Sequence, residues 1–334
     1  MPQFGFHRQR ISKFENVKTK DTYRIRCGTH HIQTVVHNGD KMRKVWIYTV
    51  IMTLSFSSCS SQEKKKEDYF LGEVTPGDSA ILFAPDKLNH PEGYHTSLII
   101  TNDYKEVYFS PMSRSGEIHK MVDFENSDTS EKILFPTLCD ADDPAISPDN
   151  KRLYFMSFQP LESDSLYRER IWYAEIKDGK ILEPEVIDKS VYNHPTHWQL
   201  SIAANYNLYF MSEIEGDDSQ DIYFSQYIDG KYMEPTKLPD EINSEYREFC
   251  PYISPNEKYM IFTRVGSNTE KADLFISYKI NGKWSDAERL PNSINSGGND
   301  LCPIISPDER FLFFISTRAG VSKIYWVNTD FLNK

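Results

Sequence analysis

A twelve-residue pattern returns along the chain at near-constant spacing, and nothing else in the sequence limits the fold as strongly. Three copies are close: Pro144-Ala-Ile-Ser-Pro-Asp-Asn-Lys-Arg-Leu-Tyr-Phe155, Pro251-Tyr-Ile-Ser-Pro-Asn-Glu-Lys-Tyr-Met-Ile-Phe262 and Pro303-Ile-Ile-Ser-Pro-Asp-Glu-Arg-Phe-Leu-Phe-Phe314. Two degenerate copies keep the frame, Leu98 to Phe109 and Leu200 to Phe210. The closing phenylalanines at 109, 155, 210, 262 and 314 are 46, 55, 52 and 52 residues apart. Each copy is an apolar strand, a Pro-Asp type of turn and an aromatic strand, which predicts a hairpin.

A third strand follows in each unit, as in Arg170 to Ile176, Asp221 to Tyr227, Asp273 to Tyr278 and Lys323 to Val327. Turns such as Asp229-Gly230 and Asn281-Gly282 then lead to a fourth, ending near Ile187, Leu238 and Leu290. Four antiparallel strands per unit of about fifty residues, arranged radially, make an all-β, five-bladed β-propeller. The last unit ends without a fourth strand of its own. Ser79 to Pro85 matches the fourth-strand stretches, so the N-terminal segment is expected to complete that blade and close the ring, leaving no sheet edge open. The 20 Phe and 20 Tyr are largely this repeat's strand signature.

The Ser-Pro-Asp-x-Lys/Arg-x-Leu-x-Phe frame resembles the WD40-like repeat called PD40, found in the propeller of the TolB family, over about residues 79–334. The resemblance implies a propeller scaffold and leaves the activity open, since such scaffolds carry unrelated functions. Asp149, Asn256 and Asp308 at the turns are expected to cap them.

Charge divides the chain. Residues 1–58 hold ten Lys/Arg and three Asp/Glu, so the rest carries 28 basic and 46 acidic side chains, a net of −18. That balance argues against nucleic acid as a partner, which needs cations to neutralise phosphates. Arg43-Lys44, the apolar run Val45 to Phe56 and Ser57-Ser58 follow the order of a secretory signal peptide, and the run is shorter than a membrane-spanning helix requires. Phe56-Ser57-Ser58-Cys59 resembles a bacterial lipobox, with Phe56 in the place usually held by Leu, which implies lipidation of Cys59. The expected organisation is a non-native extension over 1–41 ahead of a start at Met42, a signal over 42–58, a polar tether over 59–68 and the propeller over 69–334. There is no C-x-x-C, and Cys250 and Cys302, each followed by proline, are expected to be small buried fillers.

Counting 13 or 14 residues back from each anchoring Phe gives His95, Asp142, His197, Glu248 and Asp300, one metal-ligand type per blade at the mouth of the central channel. Asn-His-Pro precedes two of them, adding His90 and His194. Two readings stand. Imidazoles and carboxylates converge on a divalent cation such as Mn, Zn, Fe or Ni, or each residue hydrogen-bonds its own loop. The spacing of 14, 13, 13, 14 and 14 bears on this, because one residue of slip turns a strand side chain to the other face. The adjacent acids Asp142-Asp143 and Asp217-Asp218 have the makings of an acid/base hydrolytic pair, but among 46 acidic residues such pairs are expected by chance. Trp198 and Trp284 are read as core packing, with sugar stacking as the alternative. No G-x-S-x-G, Walker loop or H-E-x-x-H occurs.

Function is therefore expected to be binding: a monomeric, lipid-anchored envelope propeller presenting a face to a protein, peptide or glycan. A carbohydrate-active lyase or hydrolase using the His/carboxylate mouth is the alternative.

Overall fold

In the computed structural model, residues 68–334 are described, less 89, 114–115, 134, 136–137, 139, 163–167, 193, 214–219, 267–270 and 334. The expectations for residues 1–67, including the signal and Cys59, and that for Asp217-Asp218 lie outside this set. Among the described residues no helix is long and apolar enough to cross a membrane.

Five antiparallel sheets of four main strands follow one another in chain order. They make the five-bladed propeller that the repeat predicts. Blade 1 is Ile99–Ile100, Glu106–Phe109, His119–Val122 and Glu131–Lys132; blade 2 is Asp142–Ile146, Arg152–Ser157, Arg170–Lys177 and Glu185–Val186. Blade 3 is Thr196–Ile202, Leu208–Glu213, Gln220–Ser225 and Thr236–Lys237. Blade 4 is Arg247–Ile253, Tyr259–Val265, Ala272–Ile280 and Glu288–Arg289. Blade 5 is Asp300–Ile305, Phe311–Ser316 and Lys323–Asn328, completed by Ile81–Leu82 from the N-terminal side, which pairs with Trp326 and Tyr325.

The Ser-Pro-Asp frame is a hydrogen-bonding device. The hydroxyls of Ser147, Ser254 and Ser306 donate to Asp149, Asn256 and Asp308 at 2.8, 3.1 and 2.6 Å. The same hydroxyls accept the amides of Arg152, Tyr259 and Phe311 at 2.9 to 3.0 Å. The side-chain oxygens of Asp149, Asn256 and Asp308 also accept the amides of Lys151, Lys258 and Arg310, so these residues cap the turns as expected. The outer hairpins turn on left-handed pairs, Asp229 and Gly230 (φ 49° and 81°) and Asn281 and Gly282 (φ 51° and 79°), matching the twist of the flanking strands.

In blades 2 to 5 the first strand is broken near its middle by a register shift. The residue at the break has a left-handed backbone: Asp143 (φ 50°), Trp198 (φ 62°), Cys250 (φ 49°) and Cys302 (φ 52°). Proline follows three of these, and because it lacks an N–H it cannot continue the ladder, so an extra residue is accommodated as a bulge. The first strands are neighbours of one another around the axis, and the bulges meet there. The Gln199 side-chain amide crosses from blade 3 to donate to the Pro303 carbonyl of blade 5 at 3.0 Å. At their other ends the strands ring a cavity of about 100 Å³ lined by Ile100, Ile146, Ile202, Ile253 and Ile305.

Candidate functional site

The seven sequence-derived residues do not occupy equivalent places. Asp142 pairs with Met156 and His197 with Met211, each opposite the residue just after the anchoring Phe. The His95 amide donates to the Ser110 carbonyl at 2.8 Å, the same position in blade 1. Glu248 pairs with Arg264 and Asp300 with Ser316, one residue further on, and so face the other way.

Those two acids are bound within their own blades. Glu248, fully buried, accepts from Arg264 Nε at 2.7 Å and from the Ser244 hydroxyl at 2.5 Å. Asp300, also fully buried, accepts from Arg318 Nη2 at 2.9 Å and from the Ser296 hydroxyl at 2.9 Å. His90 packs its ring edge-on to Tyr94, while His194 pairs with Glu234 at 3.2 Å beside Tyr223. His197 lies in the strand Thr196–Ile202, and its side chain is not among those described.

What comes together is a smaller group at the inner ends of blades 1 and 2. His95 Nδ1 lies 2.9 Å from Asp143 Oδ1. Asp142, Asp143 and Glu169 each bring a carboxylate oxygen within 4.8 Å of the others. Asp143 is 1% exposed and Glu169 6%. Asp142 Oδ1 and Asp143 Oδ2 are both buried without a hydrogen-bond partner among the described residues. Leaving such a group unpaired costs about 1–3 kcal/mol, more when charged. Gly116 makes the third wall: at φ 56° it approaches so closely that a side-chain carbon there would sit 3.0 Å from Asp142 Oδ2.

Asp143 and Glu169 escape the spacing rule for identifiable reasons. The bulge turns Asp143 into the pocket beside Asp142, and Glu169 arrives from the loop before the third strand. One signal was present in the sequence. At the bulge, blades 4 and 5 carry Cys-Pro, whereas blade 2 carries Asp143-Pro144, an acid at an otherwise uncharged position. Asp142-Asp143 is therefore half of a built pocket rather than a chance pair. Trp284 is buried and Trp198 packs on Phe249 at 4.6 Å, both as core.

The pocket's titration follows from crowded carboxylates. Asp143 holds the His95 imidazole protonated, raising its pKa to about 10 against the opposing effect of burial. Burial, then the charge of Asp143, lifts Asp142 to about 9. Both values exceed those of the unfolded chain, about 6.5 and 3.9. The stability these groups favour is thus present at low pH and lost as pH rises, for His95 between about 6.5 and 10 and for Asp142 from about 4 through 9. In chelator-treated protein, unfolding midpoints should fall over pH 7 to 10, and Asp142→Asn should flatten that fall. An unchanged slope in the variant would contradict the assignment.

Comparison with known proteins adds the fold class. No protein-family model matches the chain, and no curated protein matches it. Among solved structures it is similar to the putative TolB from Agrobacterium tumefaciens, with 18% identity, TM-score 0.52, and coverage of 77% of this chain and 86% of that one. It is also similar to the endo-arabinase from Bacteroides thetaiotaomicron VPI-5482, with 12% identity, TM-score 0.51, and coverage of 77% and 97%. The chain has a TolB-type β-propeller fold. At these identities the likeness speaks for the fold alone.

Proposed function

We propose that this chain is a binding module of the bacterial cell envelope, anchored through Cys59, that takes its ligand at the pocket of His95, Asp142, Asp143 and Glu169. The observation that carries the site is the pair of buried carboxylate oxygens without partners among the described residues, Asp142 Oδ1 and Asp143 Oδ2. Buried acids grouped this closely favour a ligand that brings positive charge. The address rests on the order Arg43-Lys44, apolar run, Ser57-Ser58-Cys59. An envelope protein, peptide or glycan is the partner class. For the test, the full lipoprotein carrying Asp143→Asn is compared with wild type in cross-linking on intact envelopes. Cross-links mapping around Gly116 and Asp142 should be lost in the variant, and their persistence would refute the site.

A divalent cation in the same pocket is the second reading, favoured by three carboxylates within one ligand sphere. His95 Nδ1 is already engaged by Asp143, so the inner ligands would be oxygens, which suits Mn²⁺, Mg²⁺ or Ca²⁺ better than softer ions. Elemental analysis after dialysis against each ion should give one equivalent in wild type and none in Asp143→Asn. A metal-free wild type leaves a cationic group on the partner as the ligand.

A further inference from the structure

We infer that Cys250 and Cys302 are a site of disulfide formation that joins blade 4 to blade 5 across the channel wall. The two thiols lie at the same place in consecutive blades, each in the first-strand bulge and each before a proline. Both backbones are left-handed there, a conformation uncommon outside glycine, and it turns both side chains toward each other at the level where the bulges meet. The sulfurs are 3.0 Å apart and the residues are 1% and 6% exposed. A disulfide needs about 2.05 Å, so the two sulfurs have to close by roughly 1 Å to bond.

Packing alone does not account for this pair. As fillers the two cysteines would serve equally well apart. Blade 2 puts Asp143 at the equivalent bulge and blade 3 puts Trp198, so the position tolerates very different side chains. A sulfur in each of two adjacent bulges is what a cross-link requires. Burial sets the timing, since an oxidant reaches the pair before blades 4 and 5 close on each other, and the folded ring then shields the bond.

The chemistry needs a disulfide-bearing oxidant, either oxidised glutathione or a thiol–disulfide oxidase. The thiolate of one cysteine attacks a sulfur of the oxidant, forming a mixed disulfide and expelling one oxidant thiolate. The second cysteine thiolate attacks its partner's sulfur in that mixed disulfide, forming the Cys250–Cys302 bond and expelling the other oxidant thiolate. The two cysteine protons pass to the two thiolates released, and the oxidant gains the two electrons the protein gives up. Such a bond persists outside the cytosol, so its presence in cells rests on the envelope address proposed above.

The direct test denatures the full chain, purified from the envelope, in an alkylating agent without reductant. Peptide mapping should show Cys250 and Cys302 linked and unalkylated, with both alkylated after reduction. Both alkylated before reduction, in envelope protein and in chain refolded in a glutathione redox buffer, would overturn the proposal. A link formed in the redox buffer but not in cells would uphold the pairing and refute the address. Stability gives a second readout on the 52-residue loop. Cys250→Ser and Cys302→Ser should each lower the unfolding temperature by roughly 5–10 °C without reductant, and the double variant by no more than either. Reduced wild type should fall to the same value, and additive losses would count against a bond.

Discussion

Arg264→Ala should destabilise the propeller by about 3–5 kcal/mol, among the largest losses any single substitution here will give. The side chain of its partner Glu248 is fully buried, and Arg264 supplies its cation at 2.7 Å. Without the guanidinium, the carboxylate keeps, among the described residues, the hydroxyl and amide of Ser244. Arg264 also donates to the Ile242 carbonyl at 3.0 Å and lies over the Phe275 ring at 4.6 Å, so truncation loses a loop contact and a cation–π contact as well. Blade 5 repeats the device with Arg318 on Asp300, beside Tyr325. pH separates this mechanism from a simple cavity. Burial raises the Glu248 pKa while Ser244 and Arg264 oppose it, so removing Arg264 raises it further. A raised carboxyl gives stability that is full below the unfolded value, near 4.3, and lost as pH rises through the folded one. The deficit of Arg264→Ala should therefore be largest near neutrality and shrink in acid. Urea midpoints at pH 7 and pH 4.5 would show it, and a deficit independent of pH would point to lost packing. Replacing both partners by apolar residues, Glu248→Leu with Arg264→Met, should cost far less than Arg264→Ala alone.

The blades were legible in the sequence because their physics is local. A serine hydroxyl five residues before the amide it accepts, an acid that caps the turn and an aromatic strand can all be read within twelve letters. Even the long-range closure had a local mark, since Ser79 to Pro85 is written like a fourth strand. The pocket was not legible in the same way. His95 and Asp143 are 48 residues apart and meet because a bulge inserts one residue into the first strand of blade 2. Bulges make spacing from the anchoring Phe an unreliable guide to which face a side chain takes. Glu248 and Asp300 entered one set with Asp142 although they stand 14 residues before their Phe and Asp142 stands 13, and that one residue puts them in another register. Gly116 has no motif at all; its role is visible only where the backbone passes the Asp142 carboxylate. Departures from the repeat mark the site better than the repeat itself, as the acid at a Cys-Pro position shows.

The closure of the ring should depend on Phe83 far more than on the strand that precedes it. Ile81 and Leu82 form just two pairings with blade 5 and leave their own side chains 44% and 37% exposed. Such a short edge strand contributes little by its ladder. Phe83, at 1% exposure, is the anchor: its amide donates to the Ile324 carbonyl at 2.9 Å, and its ring meets Phe313 and Trp326 edge-on at 5.0 Å each. It also stacks on Phe124 of the blade 1 loop at 5.6 Å, so one ring ties the N-terminal segment to both blades at the seam. Phe83→Ala should cost about 3–5 kcal/mol, as large buried-to-alanine changes do, whereas Ile81→Ala should cost under about 1 kcal/mol. The location of the damage is the sharper expectation. Once released, the segment uncovers the outer edge of Lys323–Asn328, a row of unpaired backbone groups open to a second chain. Hydrogen exchange should accelerate first in that strand and at the Phe83 amide, before blades 2 to 4 respond, with concentration-dependent association on warming. Uniform acceleration across all five blades, or a Phe83→Ala loss no larger than that of Ile81→Ala, would show that the seam is held elsewhere.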